Sequence, residues 1–131
     1  MRDPIPEKSP RDRVRFIQHR GKSILLEDFS DLDPGPEFLD TLRKAKEAIE
    51  SRPLKSVLVV AVVSNVHYDL DALNAMGAFV KANTPFVRCS AVVGIKGLAK
   101  VGMMAVSQLG GRSIKTVDTI EEALEYLVSV E

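Results

Sequence analysis

Cysteine and histidine are nearly missing from this chain, with one Cys and two His among 131 residues. They cannot build a disulfide framework or a zinc cage of four such ligands within one chain. A surplus of one charge sign is also missing, since 18 Lys and Arg balance 18 Asp and Glu. A dedicated nucleic-acid binder normally carries a basic excess, so nucleic acid is not an expected partner. No apolar run approaches the roughly 18 residues of a membrane span, so integral membrane association is not expected. The N-terminal stretch MRDPIPEKSPRDR lacks the apolar core of a secretory signal, and a cytoplasmic location is the expectation. What remains is an ordinary soluble composition, 45% hydrophobic and 27% charged. The length suits one domain, because two halves would each sit near the limit at which a core outweighs chain entropy.

Residues 1–12 hold Pro4, Pro6 and Pro10 among charges, with little apolar surface to bury, and read as a flexible leader. Residues 13–131 read as the single domain. Val14, Phe16 and Ile17 belong to one strand and Ile24, Leu25, Leu26 and Phe29 to the next. Between them His19-Arg20-Gly21-Lys22 reads as a hairpin turn, Gly21 being free to take a positive φ. Asp33-Pro34-Gly35-Pro36 opens a helix whose Phe38, Leu42, Ala45 and Ile49 share one face, and Arg52-Pro53 ends it.

The strongest signal is Ser56 to Val63, which contains Val57-Leu58-Val59-Val60-Ala61-Val62-Val63. Apolar and polar positions do not alternate there, as expected of an internal parallel strand covered on both faces. Six Val and Leu side chains at roughly 1.5–3 kcal/mol each imply gross burial on the order of 10 kcal/mol. A helix then begins at Asp69 or Asp71, with Leu70, Leu73, Met76, Gly77 and Val80 expected on its buried face and Asn83-Thr84-Pro85 as its stop. The helices look amphipathic enough to be consumed by the core, although Phe79 and Phe86 could lie off the main faces and serve an apolar ligand. Phe86 to Ile95 reads as a strand. Leu98, Val101, Ala105 and Leu109 mark a helix closed by Gly110-Gly111, and Ile114 and Val117 mark a short last strand. Thr119 and Glu122 form a capping box before a helix bearing Ala123, Leu124, Leu127 and Val128. Helices alternating with strands are the crossovers of a parallel sheet, and such crossovers are right-handed.

Ligands of open parallel sheets gather outside the carboxyl ends of the strands. The richest such corner is Ser64-Asn65-Val66-His67-Tyr68-Asp69-Leu70-Asp71. A hydrolytic reading makes Ser64 the nucleophile and His67 its base, oriented by Asp69 or Asp118. Ser64 lacks the G-x-S-x-G elbow that presents a reactive hydroxyl. Turn hydrogen bonds for Ser64 and Asn65, a helix cap for Asp69 or Asp71 and a solvated His67 account for the same residues, so no catalytic residue is assigned. His67, Asp69 and Asp71 show neither H-x-E nor paired-His spacing, so no metal site is expected. A second corner, Gly94-Ile95-Lys96-Gly97, leads toward Lys100 and could hold a small anion on helix amides. It matches neither G-x-G-x-x-G nor the P-loop pattern. Cys89 reads as a small buried filler, His19 as an exposed residue beside the turn, and Met76, Met103 and Met104 as core.

These segments in their order resemble the STAS superfamily, the fold of anti-sigma-factor antagonists such as SpoIIAA, and more closely its small stand-alone bacterial members. The resemblance rests on Val14-Arg15-Phe16-Ile17 with the Gly21-Lys22 turn, Ser56–Val63 with Asn65-Val66, and Ala91-Val92-Val93-Gly94-Ile95-Lys96-Gly97-Leu98. It continues through Gly111-Arg112 and Asp118-Thr119-Ile120-Glu121-Glu122-Ala123. It implies an α/β fold with a mixed sheet of about five strands, about four helices and an N-terminal hairpin before the βαβ crossovers. It also implies a regulatory, protein-binding role without catalysis or a cofactor. The antagonists are phosphorylated on a serine in an Asp-Ser-Ser-Gly-Leu segment, which falls here on Asp69-Leu70-Asp71-Ala72-Leu73. Leu70 occupies the acceptor position, and a leucine cannot accept phosphate.

The expected function is therefore partner docking through Ser64, Asn65, His67, Tyr68, Asp69 and Asp71, without the usual phosphoserine switch. The alternative is binding of a small ligand (an anion, nucleotide or lipid), with Gly94, Lys96, Gly97 and Lys100 as the anion set. A homodimer through the hairpin edge is open, although Arg13, Arg15, Glu27 and Asp28 are charges that could block edge pairing.

Overall fold

Positive φ at two successive residues sets the first turn. In the computed structural model, which describes residues 13–97, 100 and 114–130, Arg20 (φ 49°) and Gly21 (φ 80°) join β1 (Val14–His19) to β2 (Lys22–Asp28). Left-handed conformation at both central residues matches the twist of antiparallel strands, and His19 pairs with Lys22 in register. The chain continues through α1 (Pro36–Glu50), β3 (Val57–Val62), α2 (Leu70–Asn83), β4 (Val87–Val93), β5 (Ile114–Val117) and α3 (Ile120–Ser129). The leader expected at 1–12 and the helix expected at Leu98, Val101, Ala105 and Leu109 with its Gly110-Gly111 stop lie outside the described residues. So do Met103 and Met104. The described residues thus contain three helices where about four were expected.

The five strands lie in the order β1-β2-β3-β4-β5, antiparallel at the hairpin and parallel from β2 onward. The valine-rich β3 is the middle strand, and side chains on both of its faces are buried. Val57 and Val59 pack toward α1 and α2 with Leu25, Phe29, Phe38 and Ile49. Leu58, Val60 and Val62 pack toward α3 with Ile24, Leu26, Leu124 and Leu127. One irregularity shifts the β3–β4 register: Val57 pairs with Val87 but Leu58 with Cys89. Arg88 takes the extra place and points to solvent, so Val87 and Cys89 serve opposite layers although they are two residues apart.

Local rules account for most helix limits. Phe38, Leu42, Ala45 and Ile49 are all buried on α1, as their spacing predicts. Asp69 caps α2 by accepting from the Ala72 amide at 2.7 Å, and Thr119 caps α3 by accepting from the Glu122 amide at 3.1 Å. Cys89 is buried, with its Sγ 3.1 Å from the Tyr126 hydroxyl.

Four expectations need correction. The buried face of α2 consists of Ala72, Phe79, Val80 and Asn83, while Leu70 and Leu73 are 73% and 46% exposed. Apolar residues run around most of this helix, so periodicity leaves its phase open, and packing chooses small Ala72 against the sheet. Phe79 is accordingly in the core and Phe86 packs against it, rather than off the main faces. His19 is half-buried, its Nε2 3.2 Å from Glu125 on α3. Finally, Glu27 and Asp28 are not edge charges, being 2% and 1% exposed, and Arg13 is buried with them. β2 is an interior strand, so its charges point into the protein. The Arg13 guanidinium donates to the carbonyls of Asp28 (2.9 Å) and Ser30 (3.1 Å) and lies 3.5 Å from Glu37.

Candidate functional site

The exits of β2 and β3 are neighbours because the two strands pair in parallel. Backbone hydrogen bonds lace the two exits: the Phe29 amide donates to Val62 (2.8 Å), Asp31 to Ser64 (3.0 Å) and His67 to Leu32 (3.0 Å). Side chains repeat the pattern. Asn65 Nδ2 donates to Asp31 Oδ1 at 2.9 Å, and His67 Nδ1 lies 2.8 Å from Asp33 Oδ1. Asp31 (φ 64°) and Asn65 (φ 59°) both adopt the left-handed conformation, which short polar residues tolerate better than most. The expected corner is therefore half of a larger one, and Asp31 and Asp33 are the members missed from the sequence. They lie 34 positions from their partners, beyond any local pattern.

The acid that meets His67 is Asp33, in place of the expected Asp69 or Asp118. Asp69 is occupied as the α2 cap. His67 and Asp33 are both well exposed, so their contact is worth little in stability. Among the described residues no hydrogen bond joins Ser64 to His67, and a nucleophile without its base in reach has no activated proton acceptor. Ser64 instead turns toward Gly94 at the next exit, where a Cβ would stand 2.2 Å from Ser64 Oγ. Gly94 has φ +84°, so glycine is required there by both space and backbone.

Tyr68 differs from its neighbours. Its ring meets Phe38 edge-on at 6.3 Å, Phe38 in turn packs on Phe29 at 5.8 Å, and burial pushes the Tyr68 phenol above its ordinary pKa. It forms a half-buried floor, whereas Asn65, His67, Asp69 and Asp71 are exposed. Beside them Leu70 and Leu73 project from the first turns of α2. The corner thus offers exposed apolar side chains next to the Asp69 and Asp71 carboxylates on a firmly bonded base.

At the second corner Gly94 and Gly97 (φ +63°) both use left-handed conformations, and Lys96 and Lys100 are exposed. Residues 98 and 99, whose amides an anion would need, lie outside the described residues. A cavity of about 30 Å³ lies between the sheet and α2, bordered by Glu27, Val59, Ala61, Phe79, Ser90 and Ile114 among others. That is room for a water-sized guest, far below the roughly 300–1,000 Å³ of small-molecule pockets. Among the described residues no group of three or more His, Cys, Asp or Glu side chains could hold a metal ion. No described helix is long and apolar enough to cross a membrane.

Together the hairpin, the parallel strands and the crossover helices define a SpoIIAA-like α/β fold. A solved structure with the same architecture is that of an uncharacterized protein from the DUF3478 family, with a SpoIIAA-like fold, from Shewanella loihica PV-4. The two superpose with a TM-score of 0.70 at 10% identity, covering 87% of this chain and 91% of that one. No family model matches the sequence, and no curated protein does.

Proposed function

We propose that this chain is a non-enzymatic, SpoIIAA-like regulatory domain that docks another protein through residues 64–71 and the first turns of α2. The carrying observation is the exposure of Leu70 and Leu73 beside the Asp69 and Asp71 carboxylates, on a base fixed by the laced exits of β2 and β3. Interface cores need apolar anchors held in place before binding, and an anchored helix start supplies them at low ordering cost. A phosphoserine switch has no acceptor at Leu70, so binding here would answer to partner concentration and not to a charge placed on that residue. The soluble, cytoplasmic setting expected from the composition suits such a role.

The test is site-specific photo-crosslinking in cells of the source organism, with the probe at Leu73 or, as a control, at Leu39 on α1. A discrete protein adduct at Leu73 alone, lost on Leu70→Ser or Asp71→Lys, is the expected result. Identical adducts at both positions would remove the support for this corner. So would an NMR titration with the captured protein whose shifts fall only at the opposite end of the sheet.

A further inference from the structure

The amino ends of the parallel strands carry the opposite charge to the corner. Arg52 and Lys55 lie in the loop before β3, Lys81 in the last turn of α2 and Arg88 at the β4 irregularity, and all four are exposed. The strand pairing gathers them at one edge: the Lys55 amide donates to Pro85 at 3.0 Å and the Ser56 amide to Phe86 at 3.0 Å, so the two loops run together. The described acids near this edge, Glu50 and Glu125, are already engaged. Glu50 pairs with Lys46 at 2.7 Å, and Glu125 pairs with Arg20 at 3.0 Å and meets His19. Lys55, Lys81 and Arg88 have no ion pair among the described residues, while Arg52 lies over the Phe16 ring at 3.8 Å.

Leu54 sits between Pro53 and Lys55 in this turn and is 66% exposed. A lone exposed leucine is ordinary on a protein surface. Its placement is what matters here, since it stands in the turn beside Lys55, two residues after Arg52. Lys55 holds φ 56°, a conformation disfavoured for lysine, and the hydrogen bond its N–H donates to the Pro85 carbonyl keeps the turn closed.

We propose that this edge is a second docking surface, distinct from the corner, and that its occupant is an anionic lipid surface. Charge complementarity supplies the attraction, with each cation near an acidic membrane strengthening binding about fivefold. The exposed Leu54 beside these cations favours the lipid, because an apolar side chain entering the interface adds to the attraction of basic residues for acidic headgroups. Four cations and one leucine give weak, reversible and salt-sensitive attachment, as expected of a peripheral protein.

Co-sedimentation of the full chain with vesicles tests this directly. Binding is expected to vesicles of equal parts phosphatidylcholine and phosphatidylglycerol, and not to phosphatidylcholine alone. K55E/R88E is expected to weaken it by at least about 25-fold, and Leu54→Ala by about tenfold. Lys44→Gln on α1, whose ammonium pairs with Asp40, should leave it unchanged. Thermal melts of each variant separate lost binding from lost folding, and Lys81→Gln offers a milder charge removal if the double variant melts early. Absent binding to the acidic vesicles, equal binding to neutral ones, or binding that survives K55E/R88E would each overturn the proposal. Tighter binding to polyglutamate than to the vesicles, abolished by the same variants, would overturn it in favour of an acidic protein partner.

Discussion

The two ends of this sheet are built from the same strands and differ in almost every surface property. At the carboxyl ends, Asp31 and Asp33 meet Asn65 and His67, Leu70 and Leu73 are exposed beside Asp69 and Asp71, and hydrogen bonds across the β2 and β3 exits hold the backbone in place. At the amino ends, Arg52, Lys55, Lys81 and Arg88 surround a single Leu54. A chain with zero formal net charge therefore still carries an acidic patch at the β2 and β3 exits and a basic one at the amino ends, with Lys96 and Lys100 beyond the β4 exit. The comparison teaches that charge balance in a composition excludes a global field but not opposed local ones, and local fields are what a partner meets within a Debye length.

The sharpest way to break the comparison is to remove what supports one end. Phe38 lies beneath the acidic corner, against Phe29 and Tyr68. Phe38→Ala is expected to cost about 3–5 kcal/mol in chemical denaturation. Amide exchange should accelerate first at residues 64–69, while the Lys55 and Ser56 amides at the other end keep more of their protection. Equal acceleration at both ends would show that the corner is no more dependent on this aromatic stack than the rest of the sheet.

Gly94→Ala comes next. The new methyl meets Ser64 Oγ, and the backbone must hold φ +84°, so a loss of about 2 kcal/mol is expected. Adding Ser64→Ala should restore part of that loss by opening space, leaving the backbone strain. Asp69→Ala removes the α2 cap at the Ala72 amide and should cost about 1 kcal/mol, readable as a lower denaturation midpoint.

Alkaline pH separates the two ends without mutating the charges. Burial raises the Tyr68 phenol pKa in the folded protein above its unfolded value of about 10. The associated stability is intact below the unfolded value and is lost as pH rises through the folded one. The slope from this residue is at most about 1.4 kcal/mol per pH unit, and Tyr68→Phe should remove it. A stability profile unchanged by Tyr68→Phe would mean that the phenol titrates alike in both states.

The smallest effect sharpens the contrast in backbone. Lys55 (φ 56°) and Asn65 (φ 59°) hold the same conformation at opposite ends. Lys55→Gly should gain up to about 1 kcal/mol in thermal melts, because lysine bears the full Cβ penalty. Asn65→Gly should gain nothing, since asparagine tolerates the conformation and its amide bonds Asp31.

Much of the fold was legible from local signals. The turn at Arg20-Gly21, the α1 face, the uninterrupted apolar β3 and the caps at Asp69 and Thr119 each depend on residues a few positions apart. The α2 face was not, because Ala72, Leu73, Ala75, Met76, Phe79 and Val80 give a helix apolar enough to be buried in more than one phase. Only the sheet beneath it selects Ala72 and Phe79 and leaves Leu73 outside. Glu27 and Asp28 were misjudged for a related reason, since a charge on a hairpin strand is read as exposed until the strand is known to be interior.

The candidate corner divides in the same way. Its residues 64–71 follow from the rule that polar loops leave the carboxyl ends of parallel strands. Its partners Asp31 and Asp33, the approach of Ser64 to Gly94 and the half-burial of Tyr68 required the assembled sheet.

By itself the sequence determined where the described strands and helices run, where most of them begin and end, and that the valine-rich segment lies in the interior. These follow from side-chain periodicity and backbone preference, which act over a few residues. Only the tertiary structure decided which face of α2 turns inward, which acid meets His67, and that Asp31 and Asp33 join the corner formed by residues 64–71. Those outcomes depend on parallel pairing between strands far apart in the chain, and no short-range pattern encodes which distant exits will stand side by side.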